Sequence, residues 1–354
     1  MPHHRPRRGY LGASLIALLA VATATSLDAQ PKPDSAWSIE KIHGPSLPFA
    51  VTLDEGTWMS LDLSPDGRTI VFDLLGDLYT MPVTGGTATR ITQGPAFDQQ
   101  PRFSPDGKRI VFVSDRSGSS NLWFVEPDGS NPRALTTHRA WGFSSPVFTP
   151  DGDYVITRRA PLNDQGSGIT LFMYHVDGGG TGVELFKGEN APAGPALSRD
   201  GRWLYFSTRQ PFDRGGAVIK RFDRHTGRIL PLTSGYGGAV RPAISPDGKT
   251  LAFGRRIDAQ QVLVLRDLET GAERVVYRGL DRDEQETTGS ADLLPGYAFP
   301  PDGSEVIVSA RGKFRRITLA TGAEQLIPFS ARFEQTLTER VMVASRLDDG
   351  PVPI

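Results

Sequence analysis

AFDQQPRFSPDGKRIVFVSDRSGSSNLWFVEPDGSNPRALT, residues 96–136, decides the fold. At its centre is SPDGK, starting at Ser104. In such a phrase Pro presets φ, Asp bonds nearby backbone and Gly takes the left-handed conformation, which is hairpin-turn chemistry. The β-forming runs RIVFVS and NLWFVE follow, then a second turn from Glu126 to Pro132 and a short strand RALT. Counting the strand before the first turn, the unit holds four strands.

The phrase recurs as SPDGR at Ser64, TPDGD at Thr149, SRDGR at Ser198, SPDGK at Ser245 and PPDGS at Pro300, with steps of 40, 45, 49, 47 and 55 residues along the six copies. The Asp-Gly pair is present every time: Asp66-Gly67, Asp106-Gly107, Asp151-Gly152, Asp200-Gly201, Asp247-Gly248 and Asp302-Gly303. Pro precedes it in all copies but one, where Arg199 stands instead. A large apolar residue leads each phrase: Leu63, Phe103, Phe148, Leu197, Ile244 and Phe299. An aliphatic residue follows each turn at Ile70, Ile110, Val155, Leu204, Leu251 and Val306. Two places on come Phe72, Phe112, Phe206, Phe253 and Val308, with Thr157 the odd one out. Alternate residues of a strand share a face, so this pattern predicts one side buried between neighbouring units. Four strands in roughly 40–50 residues is the composition of a propeller blade. The fold expected is all-β, a six-bladed β-propeller of four-stranded antiparallel blades. An array of immunoglobulin-like sandwiches would need repeats of about 100 residues. No stretch after residue 30 sustains a helical period.

Composition narrows the function classes. Residues 1–29 read as a cleaved secretory signal: Arg5, Arg7 and Arg8, then a weakly apolar run from Leu11 to Ala24, then small residues. The run is too short and Ala-rich for stable membrane insertion. Removing it leaves 36 basic and 39 acidic residues, with no cysteine anywhere. That balance disfavours nucleic acid as a partner and points to a periplasmic or secreted bacterial protein without disulfides. The expected organisation is a signal at 1–29, a lead-in with a candidate ring-closing strand at 30–57, a propeller at 58–329, and a C-terminal strand and linker at 330–354.

Candidate site residues fall on the longer connections and in the channel. One face should carry the tight turns and the other the longer connections, which are the usual binding surface of a rigid scaffold. Arg158 and Arg159 open one such connection, Arg209 another, and Asp281 and Asp283 lie in an acidic one. His138 with Trp141 and Phe143 is the most site-like cluster, the alternative being an aromatic loop plug. Ser60, Gln100, Ser145, Gly194, Arg241 and Gly296 should line the channel; Arg241 could hold an anion there or pair with Asp62 or another carboxylate. Asp115-Arg116 reads as a turn with a local ion pair. The four histidines beyond the leader, His43, His138, His175 and His225, form no metal motif, and no Gly-x-Ser-x-Gly elbow or phosphate loop is present. No catalytic residue, metal or cofactor is therefore expected. A protein or peptide partner is.

Residues 96–136 resemble the TolB-type propeller repeat, and the likeness extends from about Trp58 to Phe329. TWMSLDLSPDGRTIVFDLLGDLYTMPVTGG, residues 57–86, and MYHVDGGG, residues 173–180, are more similar to the N-terminal propellers of secreted propeller–amidohydrolase fusions. The first resemblance implies a protein-binding module. The second implies an accessory propeller that gates substrate for a metal-dependent amidohydrolase, or for a prolyl-oligopeptidase-type hydrolase, whose catalytic part lies outside this chain. The expectation is either a stand-alone propeller or a truncated relative of such fusions.

Overall fold

The computed structural model describes residues 38–42, 44–162, 168–209, 216–234, 236–281 and 294–338. Every regular element among them is a β-strand, arranged as six four-stranded antiparallel blades around a channel. Blade one is β2 (Leu61–Leu63), β3 (Thr69–Leu74), β4 (Asp77–Pro82) and β5 (Gly86–Arg90). Blade two is β6 (Asp98–Phe103), β7 (Ile110–Ser114), β8 (Asn121–Val125) and β9 (Arg133–Ala134). Blade three is β10 (Trp141–Phe148), β11 (Tyr154–Pro161), β12 (Thr170–His175) and β13 (Val183–Glu184). Blade four is β14 (Ala193–Leu197), β15 (Trp203–Arg209), β16 (Ala217–Asp223) and β17 (Ile229–Pro231). Blade five is β18 (Val240–Ile244), β19 (Thr250–Ile257), β20 (Gln260–Asp267) and β21 (Glu273–Leu280). Blade six is β22 (Tyr297–Ala298), β23 (Glu305–Ala310), β24 (Lys313–Thr318) and β25 (Glu324–Ile327).

The second strand of each blade carries the core. Ile70, Ile110, Val155, Leu204, Leu251 and Val306 are fully buried, and so are Phe72, Phe112, Thr157, Phe206, Phe253 and Val308. Thr157, the polar exception, is accommodated because its hydroxyl donates to Ser144 O at 2.8 Å. Six apolar clusters result, one for each interface between blades.

The ring closes by addition at an edge. After blade six, β26 (Phe329–Thr338) runs parallel to β5, pairing Phe329 with Gly86 and Ala331 with Ala88. The early strand β1 (Ser46–Leu53) then pairs antiparallel with β26, so blade one is the inner part of a six-stranded sheet. The closing interface is aromatic: Phe72 lies 4.9 Å from Phe314 and 5.5 Å from Phe329, ring to ring. Gly85, at φ +89°, sits where a Cβ would collide with Pro328 O. Glycine is therefore required at this junction.

Candidate binding face and channel

The six phrases stand on one face, between the first and second strands of their blades. In five of them the leading hydroxyl donates to the Asp carboxylate at 2.5–2.6 Å. Each Asp also accepts a backbone N–H two residues on. These bonds, the hydroxyl first, hold Asp66, Asp106, Asp151, Asp200 and Asp247 below the usual carboxylate range. Pro300 has no hydroxyl, and Ser304 Oγ donates to Asp302 in its place. The turn glycines all have φ between +67° and +79°. This phrase is structural chemistry.

Pro and Gly of successive phrases also interlock around this face. A Cβ placed on Gly107, Gly152, Gly201, Gly303 or Gly67 would lie 2.5–3.7 Å from the proline of the preceding blade. At Gly248 nothing lies within 4 Å, and the preceding blade there carries Arg199. The mouth of the channel is thus a ring of Pro–Gly contacts with one gap.

Behind the mouth, the inner strands bulge. Gln100, Ser145, Gly194 and Arg241 all adopt φ of +49° to +57°, and each is followed by proline. Ladder register slips at each of these sites. A bulge leaves a residue out of the ladder, so proline loses no bond there. The freed N–H groups are taken up by the neighbouring blade: Gln100 N donates to Asp73 Oδ2 at 2.7 Å, Ser145 N to Gln100 Oε1 at 2.6 Å, and Arg241 N to Ser207 Oγ at 3.1 Å.

Two guanidinium groups cross the channel at this level. Arg241 is 4% exposed; its Nη1 donates to Ser145 Oγ two blades away at 2.5 Å and its Nε to Leu294 O at 2.7 Å. Tyr297 OH donates to Arg241 O. Arg241 therefore works as a bolt between blades and does not pair with Asp62. Arg102 bonds Leu61 O at 2.5 Å and is the cation that faces Asp62, whose Oδ2 accepts Phe103 N at 2.8 Å. The channel glycines make room for these side chains. A Cβ on Gly296 would meet Arg102 Nη2 at 2.5 Å, and one on Gly194 would meet Arg241 Cδ at 3.2 Å. Burial pushes Asp73 up to about 7, against the pull of its two backbone N–H donors.

The opposite, loop face gathers the other sequence candidates only in part. His138, Trp141 and Arg159 come together above the interface of blades two and three. The Arg159 guanidinium carbon lies 4.2 Å from the Trp141 ring centre and 3.3 Å from that of Phe172, with Nη1 3.4 Å from Tyr174 OH. His138 packs 5.6 Å from Phe143 and 6.3 Å from Tyr174. Burial, and then the Arg159 charge, lowers its affinity for a proton, so it is neutral at pH 7. Arg158 reaches Ser144 Oγ at 3.4 Å. Arg209 caps β15, its N–H on Asn190 O, and Asp281 accepts the Arg311 N–H. Asp283 lies outside the described residues. Asp115 and Arg116 do not pair with each other: Arg116 binds Asp98 at 2.5 Å, while Asp115 accepts Phe97 N.

Sequence reading missed the apolar part of this face. Trp58, Leu75, Phe97, Leu162 and Tyr236 are all exposed, Tyr236 at 87%, and all lie on connections of the loop face. They make up five of the eleven exposed large hydrophobic residues among those described; four others, Ile42, Leu47, Phe49 and Leu337, lie on or beside β1 and β26. None falls in a turn phrase. Among the described residues no three His, Asp or Glu side chains gather in a metal-binding group.

Against known proteins, residues 59–223 match the family model of the tricorn protease N-terminal β-propeller domain. An uncharacterized protein of Agrobacterium fabrum is 33% identical over 148 residues, which is 39% of this chain and 50% of that protein. The Tol-Pal system protein TolB of Helicobacter hepaticus is 25% identical over 184 residues, 50% of this chain and 43% of TolB. The crystal structure of TolB from Acinetobacter baumannii superposes with a TM-score of 0.58 at 15% identity, covering 79% of this chain and 66% of that one. The chain has the six-bladed propeller fold that TolB shares. It spans about half, or less, of the length of the curated relatives it matches.

Proposed function

We propose that this TolB-type propeller is an exported, periplasmic, non-catalytic module that binds a protein or peptide through its loop face. The observation that carries the reading is the concentration there of exposed Trp58, Leu75, Phe97, Leu162 and Tyr236 beside the Trp141–Arg159 stack. Aromatic residues and arginine are what protein interfaces concentrate, and a monomer rarely exposes such a group without use. Likeness to a Tol-Pal system protein supports a place in an assembly of that kind. The second reading, a propeller that gates substrate for a hydrolase, draws on the tricorn protease family match. Against it weigh Arg102 and Arg241, which span the channel such a substrate would traverse.

A photo-crosslinking amino acid placed at Phe97 or Tyr236, and as control at Lys108 on the turn face, tests the choice in the native envelope. A discrete adduct from the loop-face positions alone is expected. Equal adducts from Lys108, or none from either loop position, would overturn the reading.

A further inference from the structure

On the turn face the channel mouth is a cup of about 570 Å³, and we propose that it is a binding site for a small amphipathic anion. Its wall is the ring of apolar residues that lead the six phrases, Leu63, Phe103, Phe148, Leu197, Ile244 and Phe299. Its floor carries Asp62 and Arg102, each already engaged by backbone: Asp62 Oδ2 accepts Phe103 N and Arg102 Nη1 donates to Leu61 O. A concave site of about 300–1,000 Å³ that sets an apolar wall beside convergent polar side chains, here Asp62, Arg102 and Arg199 among others, has the form of a small-molecule pocket. The volume suits a body of two or three fused or linked rings, or an alkyl chain of similar bulk.

The polarity of the ligand follows from the one irregular phrase. Prolines rim the cup in four of its phrases, at Pro65, Pro105, Pro246 and Pro301, whereas the phrase of blade four presents Arg199. Arg199 is exposed and has no ion pair or side-chain hydrogen bond among the described residues. The neighbouring carboxylates Asp200 and Asp247 are each held by their own turn, on Ser198 and Ser245. Arg199 also stands at the gap in the Pro–Gly ring, where Gly248 has nothing within 4 Å of its missing side chain. A ligand with its apolar body in the cup can pass its charged end through that gap, where a carboxylate or sulfonate meets the guanidinium. This site is on the face opposite the protein-binding surface and stands or falls independently of it.

Two matched dyes test the assignment: 8-anilinonaphthalene-1-sulfonate and its neutral parent N-phenyl-1-naphthylamine, titrated by fluorescence and calorimetry. One saturable site per chain is expected for both. Arg199→Pro restores the phrase of the other blades, so it should fold; it should weaken the sulfonate about two- to fivefold, as an exposed ion pair would, and leave the neutral dye unchanged. Ile244→Trp should fill the cup and abolish both, while Trp141→Ala on the loop face should alter neither. Thermal unfolding of each variant guards against a folding defect. The proposal fails if the wild type shows no 1:1 site, if Arg199→Pro affects both dyes alike or neither, or if Ile244→Trp, shown to be folded, still binds.

Discussion

Gly296→Ala tests whether Arg102 is locked across the channel. Gly296 does not have a positive φ, so alanine suits its backbone, and by itself the change should add about 0.4–1 kcal/mol by restricting the unfolded chain. The new Cβ, however, would lie 2.5 Å from Arg102 Nη2 and 3.4 Å from both Cζ and Nη1. To escape, the guanidinium must leave Leu61 O, a 2.5 Å charge-assisted bond, and draw away from Asp62. Such a bond contributes about 1.5–3 kcal/mol, so the net cost should be about 1–2 kcal/mol. At about 2–4 °C per kcal/mol, the scale for a domain somewhat smaller than this one, the melting temperature should fall by roughly 2–8 °C at most. The assay is urea unfolding of four proteins: wild type, Gly296→Ala, Arg102→Met and the double variant. Methionine keeps the apolar stem and removes the colliding atoms, so in that background Gly296→Ala should be neutral or stabilising. If it costs the same in both backgrounds, Arg102 does not hold the position assigned to it and the channel is not barred there.

At the ring junction, Gly85→Ala combines a left-handed backbone with a collision against Pro328 O, and should lower stability by about 3 kcal/mol or more, read by calorimetry. No loss would mean that β26 is not fixed against β5. The pH profile should fall on both sides of a window. Asp73 and Asp77, pushed up to about 7 by burial, hold protons in the fold that the unfolded chain releases above about 4, so stability should decline as pH rises from about 4 to about 7 and level off beyond. The turn aspartates, held low, stabilise above the ordinary carboxylate range and lose that contribution as pH falls below it. Denaturant midpoints between about pH 3 and pH 8 should show the window, and Asp73→Asn should flatten its alkaline side. Arg159→Lys should cost about 1 kcal/mol in thermal unfolding, because an ammonium cannot stack flat between Trp141 and Phe172. An unchanged midpoint would remove the stack from the list of interactions that order this face.

Blade architecture was legible because burial and turn geometry act locally and repeat. A strand that must bury one face writes apolar residues at every second position, and a tight turn writes Pro, Asp and Gly. Ring closure was less legible: β1 lies far from β26 in the chain, and their pairing depends on where blade six ends in space. A further repeat was present but unread. Residue pairs Gln100-Pro101, Ser145-Pro146, Gly194-Pro195 and Arg241-Pro242 precede their turns at one fixed distance, and they mark the inner-strand bulges. Likewise Thr92, Thr136 and Thr233, each behind an aliphatic residue, accept the backbone N–H of Leu78, Leu122 and Ile219 and pin the connection that leaves the blade.

The candidate sites were harder to see for a physical reason. A residue's role on a propeller depends on which connection it occupies and what stands one or two blades away, and neither is local in sequence. Arg241 looked like an anion receptor because a lone arginine in a channel suggests an unmet charge. In the fold its guanidinium donates to a serine of blade three and to a carbonyl that leads into blade six, so it helps hold the ring. Arg199 looked like a lapse in a turn phrase. Set at the rim of the cup and opposite the open side of Gly248, the same lapse becomes an exposed cation lining that cup. The two arginines exchange roles once the ring is closed. A departure from a repeat is informative when the structure shows what the regular residue would have touched, and here a proline at 199 would have filled the gap that the other five interfaces fill.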